Sequence, residues 1–275
     1  GTTYYFYADG HMAAGEWVDG KYLAASGALT MGWLYQDGGW YYVGSTGFVK
    51  NQWVTDGVTR YLGADGRAVT GWYDVNGFHR YFDENGFLVT GWRQIGYLVY
   101  HLDVNGQPIT GWQTIDGLLY YFDASGAMAA GWTKLDGYWY YFNNEGKLMT
   151  GWMQLDGKFY YLHTDGRMVI GWQSDGTNKY YMDTVSGVMA VGWKQIDKSW
   201  YYFNQAGHMI TGWLNDGGRY YYLNPADGKM IVNGSFVVNN VNYTFNQSGV
   251  CLSETSAIDG GSAGRVYTPG TGGTV

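Results

Sequence analysis

Side chains able to do nucleophilic or metal chemistry are few and scattered in this chain. Its one cysteine, Cys251, and its five histidines form no His-Glu-x-x-His or Cys-x-x-Cys spacing typical of a metal site. Residues 260–264 read GGSAG and match the G-x-S-x-G pattern around a catalytic serine. That pattern requires a strand before it, a helix after it and a later histidine. No histidine follows Ser262. We therefore interpret the match as fortuitous and predict no catalytic residue, metal ion or cofactor.

Aromatic rings are the side chains whose number and spacing point to binding chemistry. The 275 residues include 14 Trp and 28 Tyr, and aromatic residues outnumber charged ones, at 19% against 14%. Rings that face each other across about 6 Å form a cage that attracts quaternary ammonium groups through the ring quadrupole. The same flat faces can stack on sugars, and many rings must simply form the core. The residues alone leave ammonium binding, sugar binding and packing open.

The tryptophans recur with a period of about 20 residues, which indicates internal repeats. Such a period predicts one elongated array in which each unit packs mainly on its neighbours. The chain starts inside a unit, so we expect it to be part of a longer protein. We predict an array of about twelve repeats over residues 1–250 and a Gly/Ser/Thr-rich flexible tail or linker over residues 251–275. The units open at Trp17, Trp33, Trp53, Trp72, Trp92, Trp112, Trp132, Trp152, Trp172, Trp193 and Trp213.

Each unit is predicted to be a short β-hairpin followed by a turn. In GWTKLDGYWYYFNNEG, which starts at residue 131, Asp136 and Gly137 separate two runs rich in strand-forming residues. An Asp-Gly pair favours the type I′ turn of a tight hairpin. A lone hairpin is marginally stable in water, so successive hairpins must stack to bury their rings. The sequence therefore predicts an all-β fold of stacked hairpins.

Charge argues against nucleic acid as a partner, and hydropathy argues against a membrane span. The formal net charge is −7, which argues against binding to a nucleic-acid backbone. The chain also lacks an apolar run of about 18 residues, so we predict no membrane span.

The repeat resembles the cell-wall-binding repeat of the choline-binding protein family. The unit GWKQIDKSWYYFNQAGHMITGW at residues 192–213 is close to the family pattern, although Lys198 replaces the usual turn glycine. The resemblance covers about residues 4–250. It implies a left-handed β-solenoid of stacked short hairpins, with choline sites between successive hairpins.

The same resemblance implies a noncatalytic module that anchors or targets an attached domain. Its partner would be choline or phosphocholine of lipoteichoic and teichoic acids. The protein would be secreted and held at the cell wall of a Gram-positive bacterium. Apart from the resemblance, a homodimer through the terminal repeats is a further expectation.

A family cage uses the Gly-Trp ring, the ring that opens the Trp-Tyr-Tyr run, an aromatic ring of the next unit and often a methionine. We call the second of these the ring position. Units with Thr59, His79, Val99, Leu119 or Lys179 at the ring position are expected to lack a choline site. The resemblance assigns five cages, formed by Trp132, Trp139, Met149, Trp152 and Tyr160; by Trp152, Phe159, Met168 and Trp172; by Trp193, Trp200, Met209 and Trp213; by Trp213, Tyr220 and Met230; and by Trp33, Trp40 and Trp53.

Several weak sites would explain why the unit is repeated. One three-ring cage should bind choline with about −4 kcal/mol, which is near millimolar. Several such sites facing a polymer can raise the avidity by about 10²–10⁴. Two alternatives remain open: an array that binds glucan or host glycans, as in related repeats of glucansucrases and clostridial toxins, and a structural stalk without a ligand.

Overall fold

The computed structural model describes residues 1–256, which form short β-strands and no helix. The chain divides into two compact units, formed by residues 1–133 with 142–148 and by residues 134–141 with those from 149 onward.

The first unit contains β1 (Glu16–Val18), β2 (Lys21–Leu23), β3 (Leu29–Thr30), β4 (Gly32–Gln36), β5 (Gly39–Gly44), β6 (Gly47–Phe48), β7 (Gln52–Asp56), β8 (Val58–Leu62), β9 (Gly71–Val75), β10 (Phe78–Phe82), β11 (Gly91–Ile95), β12 (Leu98–Leu102), β13 (Gly111–Ile115) and β14 (Leu118–Phe122). Strands β15 (Gly131–Leu135) and β16 (Tyr138–Phe142) have residues in both units. The second unit contains β17 (Gly151–Leu155), β18 (Lys158–Leu162), β19 (Gly171–Ser174), β20 (Lys179–Met182), β21 (Gly192–Ile196), β22 (Ser199–Phe203), β23 (Gly212–Asp216), β24 (Arg219–Leu223), β25 (Gly234–Val238), β26 (Val241–Phe245) and β27 (Cys251–Ser256).

Antiparallel hairpins are the building block of each unit. The pairs β7–β8, β9–β10, β11–β12 and β13–β14 form hairpins in the first unit, and β17–β18 to β23–β24 do so in the second. A third short strand extends the sheets β1–β2–β3, β4–β5–β6 and β25–β26–β27. The prediction of an all-β fold of stacked hairpins is confirmed.

The tight turns form where the Asp-Gly pairs predict them. Asp156 and Gly157 have φ angles of 50° and 73°, and type I′ turns require positive φ at both central residues. In the hairpin β21–β22 the same two positions hold Asp197 and Lys198, with φ angles of 47° and 68°. Lys198 therefore adopts a left-handed conformation that a glycine would adopt without strain.

A second turn follows the hairpins, and in most of them an Asp or Asn side chain holds it. Asn204 Oδ1 accepts hydrogen bonds from the backbone N–H groups of Ala206, at 3.0 Å, and His208, at 2.9 Å. This Asx turn folds the chain back, so that Met209 forms a β-bridge with Phe203 at the end of the hairpin. The same pattern of two accepted hydrogen bonds occurs at Asp83, Asp103, Asp123, Asn143 and Asn246.

Within each unit, backbone hydrogen bonds tie neighbouring hairpins together. The N–H of Met230 donates to the carbonyl oxygen of Trp200 at 2.8 Å, and the N–H of Met189 donates to that of Phe159 at 2.8 Å. In both cases the donor belongs to the Asx turn of the following hairpin. The ring position is therefore also the point at which successive hairpins are joined.

Methionine side chains fill space that glycines leave open. A Cβ added to Gly207 would overlap the sulfur of Met189, and one added to Gly228 would overlap that of Met209. Both glycines lie in the Asx turn of the hairpin that follows the methionine. Each Met side chain thus packs on the next hairpin, where a residue with a Cβ would not fit.

The core of each unit runs through the second strands of the hairpins. The last residue of these strands is fully buried in hairpin after hairpin. These residues are Leu62, Phe82, Leu102, Phe122, Leu162, Met182, Phe203 and Leu223. Burial of one large apolar side chain per hairpin supplies the driving force for stacking.

The boundary of the predicted tail differs from the structure. Strand β27 pairs antiparallel with β26, with Ser253 opposite Thr244, so ordered pairing continues through the first six residues of the segment predicted as a tail or linker. The edge of β26 offers backbone groups that this segment satisfies, although its composition resembles a linker. Residues 257–275, with the G-x-S-x-G pattern around Ser262, lie outside the described residues.

Candidate ligand-binding site

Strand alternation places two rings of each hairpin on one face. In β21–β22, Trp193 lies opposite Tyr202 and Gln195 lies opposite Trp200. Since side chains alternate along a strand, Trp193 and Trp200 share a face, whereas Tyr201 points to the other. Trp200 is 40% exposed and Tyr201 is 7% exposed. The ring position is therefore available to a ligand, and the tyrosine after it belongs to the packed interior.

The next hairpin supplies a third ring. The ring centroids of Trp193 and Tyr221 lie 4.8 Å apart at an interplanar angle of 66°. Met230 of the same following hairpin is hydrogen-bonded to the carbonyl oxygen of Trp200. We call Trp193, Trp200, Tyr221 and Met230 the Trp200 cage.

Two other hairpins of the second unit repeat the contact between the Gly-Trp ring and a tyrosine of the next hairpin. In the first, the ring centroids of Trp152 and Tyr180 lie 5.1 Å apart, and the N–H of Met189 donates a hydrogen bond to the carbonyl oxygen of Phe159. In the second, Trp213 lies 4.8 Å from Tyr243, and Tyr220 occupies the ring position. We call these sets the Phe159 cage and the Tyr220 cage.

The structure adds tyrosines to the rings named from the sequence. The sequence prediction grouped Trp193 and Trp200 with Trp213 and Met209. The structure places Tyr221 against Trp193, and the N–H of Met230 donates to the carbonyl oxygen of Trp200. The prediction likewise named Met168 and Trp172 for the Phe159 cage, where the structure places Met189 and Tyr180. The signal that identifies the missed tyrosines is their place directly after the ring position, on the inner face of the following hairpin.

Two of the methionines named from the sequence are hydrogen-bonded to the hairpin before the one whose rings they were paired with. Met209 donates to the carbonyl oxygen of Lys179, and Met168 donates to that of Trp139. Met149 is displaced by one residue within its unit, because Leu148 takes the bridging position opposite Phe142. The N–H of Met149 donates instead to Tyr141.

The remaining residues of the first predicted cage have the exposure pattern of the other hairpins. Trp139 and Trp152 are exposed, and Trp132 is partly buried. Tyr160 is buried on the inner face of its hairpin, opposite Met153. Lys134 Nζ lies 5.8 Å from the ring centroid of Trp139.

An arginine already occupies the predicted cage at Trp33 and Trp40. The Cζ atom of Arg60 lies 4.4 Å from the ring centroid of Trp33, 4.6 Å from that of Trp40 and 4.2 Å from that of Phe87. Trp53, the third ring predicted there, packs instead on Phe82, with ring centroids 5.8 Å apart. Burial lowers the pKa of Arg60, and the charge of Asp83 opposes this shift, but a guanidinium stays protonated in proteins. A cation therefore fills this cage.

Two units without an aromatic Trp, Tyr or Phe at the ring position show other arrangements. His79 stacks on Trp72 with ring centroids 4.8 Å apart and an interplanar angle of 8°, and its Nδ1 lies 2.6 Å from Asp74 Oδ1. Lys179 instead lines a cavity of about 470 Å³ together with Trp172, Tyr201 and Asp227. These units keep the Gly-Trp ring, but the residue at the ring position is a histidine or a lysine.

The described residues contain neither a metal-binding group nor a membrane-spanning helix. Within residues 1–256, no three His, Cys, Asp or Glu side chains are grouped so that they would hold a metal ion. In that part of the chain, no helix has the length and apolar character needed to cross a bilayer.

Comparison with known proteins identifies the repeats. The model of the choline-binding repeat matches residues 89–130, 109–150, 129–165, 149–191 and 190–235, and a model of a cell wall binding repeat matches residues 31–47. None of the curated proteins matches the chain.

Solved structures of similar fold come from Streptococcus pneumoniae. CbpJ of strain TIGR4 is 30% identical, with a TM-score of 0.63, and the match covers 80% of this chain and 94% of CbpJ. Choline binding protein F is 30% identical, with a TM-score of 0.59, over 86% of this chain and 97% of that protein. The modular autolysin LytC is 21% identical, with a TM-score of 0.52, over 83% of this chain and 54% of LytC, and shows the shared fold alone.

The family model covers residues 89–235, which is more than half of the chain, and CbpJ and choline binding protein F match most of its length. This chain belongs to the choline-binding repeat family.

Proposed function

We propose that the chain is a noncatalytic module that binds choline groups of a bacterial cell wall in cages between successive hairpins. The observation that carries this proposal is the guanidinium of Arg60 among three rings, two of which occupy the Gly-Trp and ring positions. The same two positions hold Trp193 and Trp200 in the Trp200 cage. Where no side-chain cation is supplied, a free ammonium group can take its place.

The chemistry of the cages fits a quaternary ammonium better than a strongly hydrated ion. Trp193, Trp200 and Tyr221 carry rings whose faces attract a weakly hydrated cation. Each cation–ring contact contributes about 0.5–2 kcal/mol, so a single cage is expected to bind in the millimolar range. A polymer with many choline groups would engage several cages at once and bind far more tightly.

The relatives support a role at the cell wall. Choline binding protein F has been solved in the presence of a peptidoglycan analogue, a tetrasaccharide-pentapeptide. We extend this to the present chain as a module that is secreted, binds choline or phosphocholine of teichoic acids, and holds an attached domain at a Gram-positive surface. Homodimerisation through terminal repeats remains part of the proposal.

Replacement of Trp200 by alanine tests the site. The variant should lose one choline site, or weaken it about 2- to 30-fold, which corresponds to one cation–ring contact. Because Trp200 is 40% exposed, the loss of stability should stay below the ~3–5 kcal/mol of a fully buried Trp→Ala change. Choline titration by calorimetry gives the number of sites, and thermal melting gives the stability.

The matched control is Leu119→Ala. Leu119 occupies the ring position of its own hairpin and is 38% exposed, but it provides no ring face. Its removal should leave the number of choline sites unchanged. If Trp200→Ala retains every site and affinity while it lowers the melting temperature, the ring serves packing and the proposed function loses its main support.

One cavity favours a saccharide as a second class of ligand. The space at Lys179 combines Trp172, whose flat face can stack on a sugar, with the hydrogen-bonding side chains of Gln173 and Asp227. A Lys179→Ala change should then weaken retention on immobilised dextran and leave choline binding unchanged. Equal retention of both proteins on dextran would remove this candidate.

A further inference from the structure

Arg60 stands at a position that other hairpins give to a tyrosine. It is the third residue of β8 and lies opposite Val54 on the inner face of its hairpin. The equivalent residues of later hairpins are Tyr100, Tyr120, Tyr160, Tyr180, Tyr201 and Tyr221. In the Trp200 cage this tyrosine closes the cage from the following hairpin, and here an arginine reaches into the cage instead.

The guanidinium of Arg60 is enclosed and anchored. Only 4% of the residue is exposed, and its Nε donates a hydrogen bond to the carbonyl oxygen of Asn85 at 2.9 Å. Three rings from two other hairpins surround it, those of Trp33 and Trp40 from one and that of Phe87 from the other. The Nε1 of Trp33 is buried with no hydrogen-bond partner among the described residues. Contacts through its ring therefore hold Trp33 in place.

We infer that this cage is a closed quaternary-ammonium site, with Arg60 as its built-in occupant. Arg60 is then a specificity-determining residue: it excludes external choline from Trp33 and Trp40 and joins the hairpins without any ligand. This inference rests on the proposed function, because it takes the cages elsewhere to be open choline sites.

The physical basis is the similarity of the two cations and the tether of one of them. A guanidinium is weakly hydrated and packs on aromatic faces, as a trimethylammonium group does. Because Arg60 is attached to β8, its local concentration at the cage far exceeds that of millimolar free choline. It also gains the hydrogen bond to Asn85, which a trimethylammonium group cannot donate. Free choline should not displace it.

Arg80 provides a matched comparison in the next hairpin. It lies at the equivalent position of β10, opposite Tyr73. The preceding hairpin offers it only Trp53, at 5.6 Å from its Cζ, because Thr59 occupies the ring position, and Phe78 of its own hairpin lies at 5.2 Å. Its guanidinium is held mainly by hydrogen bonds to the backbone of Asn105 and Val75, at 3.0 and 2.9 Å. Removal of Arg80 should therefore leave no cage.

The test compares Arg60→Ala with Arg80→Ala in the full chain. Removal of the Arg60 side chain should leave a space bounded by three rings, one of which, Trp40, also lines a cavity of about 660 Å³. Calorimetric titration with choline chloride should find one site more in Arg60→Ala than in the unaltered protein. Choline at about ten times the Kd of that site should raise the melting temperature of Arg60→Ala by roughly 3–5 °C more than that of the unaltered protein. Arg80→Ala should show neither change.

The outcomes separate this inference from the proposed function. The number of choline sites in the unaltered protein tests the proposed function, whereas the difference between that number and the number in Arg60→Ala tests the closed site. An equal number in both proteins, or the same gain in Arg80→Ala, overturns the inference. Should Arg60→Ala not fold, fluorine NMR of fluorotryptophan-labelled unaltered protein decides: choline should shift the signal of Trp200 and leave that of Trp40 in place. A shift of Trp40 with the same midpoint would show that Arg60 does not close the cage.

Discussion

Replacement of Gly207 by alanine should destabilise the stack more than the same change at Gly157. The two glycines have similar backbone conformations, with φ angles of 78° and 73°, so each alanine suffers about 1–2 kcal/mol of left-handed strain. They differ in their surroundings. A Cβ at Gly157 has no heavy atom within 4 Å, whereas one at Gly207 would overlap the Sδ, Cε and Cγ atoms of Met189.

The size of the extra loss follows from how Met189 is held. Met189 is 7% exposed and packs in a cluster with Tyr180 and Met182, so it cannot swing aside into solvent. Overpacking of this kind costs about 1–3 kcal/mol. Urea unfolding followed by tryptophan fluorescence should place Gly207→Ala about 1–3 kcal/mol below Gly157→Ala.

A double substitution provides the control. In the Met189→Ala background the overlapping atoms are gone, so Gly207→Ala should lose no more stability than Gly157→Ala does. The reasoning is refuted if the two glycine variants are equally stable in the original background. It also fails if their difference persists once the Met189 side chain has been removed, since the packing of methionine on glycine would then not be its cause.

Three further changes test the cages and the turns. Lys179→Trp should add one choline site by calorimetry, because Trp172 and Tyr201 already line that cavity; an unchanged number of sites would contradict this. Lys198→Gly should raise the stability by about 1 kcal/mol in thermal melts, because it relieves a left-handed lysine; a loss would contradict it. A hydrogen bond from Lys194 and others from Ser186 hold the pKa of Asp183 well below its usual range. Asp183 therefore stabilises the fold above about pH 4, and this contribution falls away as the pH drops further. Melts between pH 6 and pH 2 should show a weaker acid dependence for Asp183→Asn.

The hairpins themselves could be predicted from the sequence, because their causes are local. An Asp-Gly pair requires only its own backbone conformation, and Asp136 and Gly137 adopt the two positive φ angles expected, 49° and 87°. The alternation in Trp200-Tyr201 likewise predicts one exposed and one buried ring. Such signals act within a few residues, so they do not depend on how the neighbouring hairpin packs.

The membership of each cage could not be predicted in the same way. Which tyrosine meets Trp193 and which methionine bonds to Trp200 depends on how far one hairpin is displaced along the next, and no short pattern encodes that displacement. Arg60 was missed for a related reason, since a single arginine in a strand is typical of an exposed face. The available signal was its alignment with the tyrosines of later units, downstream of a Trp33 and Trp40 pair.

The hydrogen bond from Met230 to Trp200 has a consequence for how such a protein can grow or shrink. The two residues lie in successive hairpins, so a cage is a property of the junction and not of a single unit. When one hairpin is duplicated in tandem, its junctions with its old neighbours persist, and one new junction forms between the two copies. Both sides of that new junction carry the rings of the same hairpin. The evolving element is therefore the pair of neighbours. Gain or loss of one unit would therefore change the cages at its two junctions even if no residue within any unit were substituted.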